Sequence, residues 1–148
     1  MPNLLHDPIV GNAIRSRVNA LTPSSTRACG KMTPDQMLRH CSVTLEAAMG
    51  CTSHSPMSVP MPRSILKFLV LNMPWPQGAQ THPDWVADDR DDFQTEKTRC
   101  LSLIDEFTAT PLDAKVWAPP PGFGKMSGRD HSRLQAKHLD HHLRQFSV

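Results

Sequence analysis

The sequence has few aromatic residues, no long apolar run, no basic block and no closely paired cysteines, and each shortage narrows what the protein can be. Aromatics make up 5% of the 148 residues while proline occurs 14 times, a balance that points to short helices joined by long irregular connections. The most apolar run, Ile65 to Met73, is interrupted by Lys67 and is far below the ~20 residues that span a bilayer. The opening text, MPNLLHDPIVGNAIRSR, lacks a charged segment followed by an apolar stretch and a small-residue cleavage site, so no secretory signal is expected. A soluble, cytoplasmic protein without a membrane partner is the expectation. Lys and Arg are scattered among Asp and Glu and the formal net charge is only +2, which argues against a nucleic-acid partner. Cys29, Cys41, Cys51 and Cys100 form no CxxC or comparable spacing and are expected to be free thiols.

What remains is ordinary globular material, with 39% hydrophobic and 20% charged residues, enough for one domain spanning residues 1–148. Its helix signals are clear. Asp7 and Pro8 fit the N-cap and first position of a helix whose apolar residues are Ile9, Ala13, Ile14, Val18 and Leu21, ended by Thr22 and Pro23. Thr33 and Gln36 make a capping box around Pro34 for a second helix, with Gly50 where a left-handed C-terminal residue is wanted. A short helix is predicted at about Arg63 to Asn72. A longer one is predicted from about Asp88 to Thr108, with Asp88, Asp89, Asp91 and Asp92 beside its positive end. Ser127 and Asp130 cap a last helix that runs nearly to the C-terminus. The Ser-, Met- and Pro-rich stretch from Cys51 to Pro62, and MPWPQGAQTHPDW with Trp75 and Trp85, read as loops, the second placed to cover something apolar. With no period-2 strand runs, the fold class is all-α, a four-helix bundle with a minor fifth helix and long proline-rich connections.

Within the last helix the text KHLDHHLRQF places His138 and His142 four residues apart, about 40° around the helix axis, so both rings can face one ion. A divalent cation takes neutral imidazole nitrogens at about 2.1 Å, and a third ligand must come from another helix. His40, at the edge of the stripe Met37, Cys41, Thr44 and Ala48, is the natural candidate. His6, His54 and His82 lie in the N-terminal segment or in loops, where a ligand is harder to fix. His141 sits close to the same face and leaves the pairing on this helix open.

The texts GKMTPDQMLRH and FGKMSGRDHSRLQAKHLDHHLRQF resemble a branch of the DinB-like (DinB/YfiT) metalloprotein superfamily, with a likeness extending from Arg17 to Phe146. The resemblance implies a DinB-like four-helix bundle in which one histidine of the second helix and two, four apart, of the last helix bind a divalent metal. Those positions are His40, His138 and His142 here. The chain departs from the branch pattern where relatives tend to have tryptophan before GKM and it has Cys29. It departs again where they tend to read His-Pro before FG and it has Pro120 and Pro121, and at His131, which replaces a usual tryptophan.

Three neutral imidazoles leave the ion its double charge, which favours activation of a bound nucleophile. The resemblance leaves two chemistries open. One activates a low-molecular-weight thiol of the glutathione type for transfer to an electrophile; the other is hydrolysis. A lyase or cyclase reaction and a non-catalytic ligand-binding module are further alternatives. Zinc is the expected ion, with nickel or iron as alternatives. Cys29, Phe123 and His131 are candidate pocket residues around a small-molecule substrate, and His131 and His141 are candidate proton shuttles. Arg15, Arg17, Lys31 and Arg144 are candidates to meet the carboxylates of a thiol. The chain is expected to act as a monomer or homodimer.

Overall fold

The computed structural model describes residues 3–52, 60–76, 92–118 and 124–148. Five helices follow in order: α1 Pro8–Ala20, α2 Pro34–Ala48, α3 Arg63–Asn72, α4 Phe93–Ala109 and α5 Gly128–Arg144. Each long helix starts where a side chain can satisfy its free N–H groups. The Asp7 carboxylate accepts from Ile9 N–H at 2.9 Å, and Gln36 Oε1 accepts from Thr33 N–H at 3.0 Å. Ser127 and Asp130 bond reciprocally at 3.1 and 3.2 Å. Gly50 takes φ +74° just past α2, the left-handed backbone predicted for it.

One helix start and one buried face differ from expectation. Asp92 is not helical but is the N-cap of α4, with ψ 163° and its carboxylate accepting from Thr95 N–H at 2.7 Å. That bond holds its carboxyl below the usual range. The helix therefore begins at Phe93, and Asp88, Asp89 and Asp91 lie outside the described residues, as do His54, His82 and Trp85. In α1 the buried face is Gly11, Ile14 and Val18, continued by Leu21, whereas Ile9 is 81% exposed. The apolar periodicity is shared between two faces, and the buried one contains Gly11, where a Cβ would stand 2.9 Å from Leu5 O.

Both α4 and α5 pack against α1 and against α2, so the four long helices close a ring, and α3 lies outside it against α5. Leu38, Leu45, Ile104, Phe107, Leu139 and Leu143, each at most 1% exposed, fill the centre. Burial of such side chains contributes about 1.5–3 kcal/mol each. Cys41 and Cys100 are part of this core, and all four cysteines are free thiols. Burial raises the Cys100 thiol to about 12 and Cys41 well above its ordinary value, so both are inert, protonated packing groups. Among the described residues no helix is long and apolar enough to cross a membrane.

Candidate metal centre

Helices α2 and α5 run antiparallel at the bundle centre. His40 meets His138 and His142, and one turn later on α2 Thr44 meets His138 and Gln135. His40 Nε2 is 2.9 Å from His138 Nε2, and His142 Nε2 is 3.1 Å from it. The ligand atoms of the three rings all lie within 4.8 Å of one another, and no other His, Cys, Asp or Glu joins them among the described residues. One cation about 2.1 Å from each nitrogen bridges pairs up to about 4.2 Å apart, so the group fits an ion with small ring adjustments.

The outer nitrogens support the same reading. Thr44 donates its hydroxyl hydrogen to Cys41 O at 2.9 Å, which leaves Oγ1 to accept from His138 Nδ1–H at 3.3 Å. His142 Nδ1 is 2.9 Å from Gln145 Oε1, an atom that only accepts. With the single ring hydrogen on Nδ1 in both cases, each Nε2 presents a lone pair to the centre, as metal-ligating histidines do. The rings are 3–9% exposed. Burial, reinforced by the neighbouring imidazoles, pushes His138 well below its ordinary value and His142 down to about 3. Both are neutral at physiological pH.

Trp75, half-buried on the connection after α3, lies over this group with its ring centroid 5.9 Å from His138 and 5.4 Å from His141. Its indole N–H is tied to Val70 O at 2.8 Å and Lys137 Nζ stands 5.2 Å from its ring, which fixes the ring beside His138 and His141; Trp85 and the rest of that stretch from residue 77 lie outside the described residues. His141 is outside the three-ring group, its centroid 5.2 Å from His142, half-buried and lowered by desolvation.

The other candidates scatter. His131 is seven residues before His138 on α5, about 10 Å along the axis, buried and stacked on Trp117 at 5.7 Å. Among the described residues neither of its ring nitrogens makes a well-formed hydrogen bond, and the Ala118 backbone is a polar group beside the ring. Cys29 is half-buried in the loop whose Ala28 N–H donates to Gln145 O, at the opposite end of the α5 histidine face from His131. Phe123, with Pro120 and Pro121, falls outside the described residues. Arg15 pairs with Asp105, and Arg17 and Arg144 both pair with Asp140, so these three are already engaged. His6 is withdrawn from ligation by Ser132 Oγ at 2.9 Å and Thr110 O at 2.8 Å.

Sequence reasoning overlooked Gln135 and Gln145. The signal was present: each glutamine stands three residues outside a histidine of the pair, one helical turn from it.

Among curated proteins and solved structures nothing matches the chain. The profile of the DinB superfamily, whose members bind metal, matches residues 10–146. That span includes all five helices but the start of α1 and all three clustered histidines, and the chain belongs to the DinB superfamily.

Proposed function

We propose that the protein is a divalent-metal-dependent enzyme that uses His40, His138 and His142 as ligands and activates a low-molecular-weight thiol, of the glutathione type, for S-transfer to an electrophilic small molecule. The observation that carries this is the convergence of three buried Nε2 atoms with no charged ligand among them in the described residues. A divalent ion in a neutral donor set keeps its double charge and lowers the pKa of a thiol or water that binds it. Zinc suits three imidazoles, as do nickel and iron.

The chain's own groups supply the rest. Thr44 and Gln145 hold the two α5 rings in the lone-pair-inward tautomer. Trp75 shields the group from bulk water. His141, neutral at pH 7 and beside His142, accepts the thiol proton on a ring nitrogen. The sulfur electron pair then forms the bond to the electrophilic carbon, and the leaving group departs with its own bonding pair. Lys31, exposed and in no ion pair among the described residues, follows the loop residues that meet Gln145 and would meet a thiol carboxylate.

Two measurements test this. Protein purified without an affinity column should carry close to one divalent ion per chain and lose it in His142→Ala. Incubation with a panel of thiols and an electrophile should then give a metal-dependent adduct. Hydrolysis without an adduct would move the assignment to the hydrolase reading; ion uptake with turnover of neither kind would favour Lewis-acid lyase chemistry or a binding module.

A further inference from the structure

We infer that Gln145 is the positioning residue for His142, and that the space left by the missing side chain of Gly30, remote in sequence and no ligand itself, lets the Gln145 amide lie where it can reach the ring. The inference rests on the metal-centre reading above and adds to it a control point outside the ligand set.

Gln145 is the first residue past α5, and both ends of it are fixed. Its N–H donates to His142 O at 3.1 Å and its carbonyl accepts from Ala28 N–H at 2.6 Å. The loop that supplies Ala28 then turns through Gly30 at φ +86°. A Cβ on Gly30 would stand 3.3 Å from Gln145 Nε2 and 3.4 Å from its Cδ. Glycine suits the left-handed backbone there, and a Cβ would press on the end of the Gln145 side chain, which would have to give by a few tenths of an ångström. The amide lies against this loop with Oε1 directed at His142 Nδ1, 2.9 Å away.

The orientation matters because a primary amide has one accepting and one donating end. With Oε1 toward the ring, the imidazole hydrogen sits on Nδ1 and Nε2 is a free lone pair. Rotated by half a turn, the amide would donate to Nδ1 and leave the hydrogen on Nε2. That hydrogen would point at His138 Nε2, 3.1 Å away, into the position an ion must occupy. One amide thus selects between a metal-accepting ring and a blocked one. Partners of this kind typically change metal affinity by about 10–100-fold.

The test compares Gln145→Met, close in size but without the amide, with Gln145→Glu, whose carboxylate can only accept, and with Gly30→Ala. Two quantities are read. Nitrogen NMR of the histidine rings in the metal-free protein gives the His142 tautomer. Chelator competition gives the cobalt and zinc affinity. Wild type should show mainly Nδ1–H on His142. Gln145→Met should lose that preference and weaken binding by about 10–100-fold, Gln145→Glu should keep both, and Gly30→Ala should shift both in the direction of Gln145→Met. Unchanged tautomer and affinity in Gln145→Met would overturn the inference, as would equal losses in the Met and Glu variants, which would mark Gln145 as merely structural. Failure of wild type to bind any ion would sink the metal reading, and the tautomer comparison would still decide the role of Gln145.

Discussion

His40 and His138 bring their Nε2 atoms to 2.9 Å across 98 positions of sequence. Two buried imidazoles so close cannot both hold protons toward each other, and a third ring, His142, faces the same point. A cation satisfies all three Nε2 lone pairs at once; without one, a neutral ring must turn an Nε2–H toward its neighbour.

The first consequence concerns pH. Ordinary histidine ligands lose affinity below about pH 6.5 because protons compete for the ring. Here His138 is held well below that value and His142 near 3, chiefly by burial, so protons do not compete at these two rings until far lower pH. After correction for the chelator, proton competition between pH 7.5 and 5.5 should then come from at most one of the three rings, so affinity should fall by no more than about tenfold per pH unit. A steeper fall would show that His138 or His142 titrates normally.

Acid should act instead on the fold. His131 is pushed from 6.5 down to about 4, mainly by desolvation, with the Ala118 backbone offsetting part of the shift. The unfolded chain therefore takes up this proton before the folded one does. Stability is full above 6.5 and is lost as pH falls from there toward 4, by about 2 kcal/mol at pH 5 from this residue alone. His131→Phe keeps a ring for Trp117 to stack on and removes the titrating imidazole. Urea titrations should show its stability relative to wild type improving by about that amount between pH 7.5 and 5; an unchanged difference would contradict the assignment.

Gly128 opens α5 in a space that admits no side chain. A Cβ there would overlap the Leu112 carbonyl and the Trp117 indole nitrogen. Gly128→Ala should destabilise the protein by about 1–3 kcal/mol through overpacking, despite alanine's better helix propensity. Thermal unfolding at neutral pH checks this, and a rise in Tm would count against it.

The N-terminal segment is pinned by His6, whose Nε2–H donates to Thr110 O and whose Nδ1 accepts from Ser132 Oγ. His6→Leu should cost about 1–3 kcal/mol, because Ser132 is left buried without that partner. Metal content should stay at the wild-type level. A parallel loss of metal would mean the segment reaches the site in a way the geometry does not show.

Much of this was legible because it is local. Capping by Asp7, Thr33–Gln36 and Ser127–Asp130 set three helix starts, and the four-residue spacing of His138 and His142 fixed their common face. The pairing with His40 is non-local. Spacing made it a candidate, resemblance singled it out, and the antiparallel packing of α2 on α5 brings the rings together. The placement of His131 was not legible, since one helix face carries both it and the ion-facing histidines while two turns of backbone separate them. Nor was the engagement of Arg15, Arg17 and Arg144 by carboxylates, which depends on which helices become neighbours. The Gly30–Gln145 contact joins a loop to a helix end, and no periodicity records such an approach.

The central claim is that three neutral histidines form one ion site, and metal analysis of protein isolated without an affinity column tests it most directly. The account predicts close to one divalent ion per chain in wild type and near zero in His40→Ala, His138→Ala or His142→Ala variants that remain folded by circular dichroism. A wild-type stoichiometry near zero, or one that these substitutions leave unchanged, would contradict it.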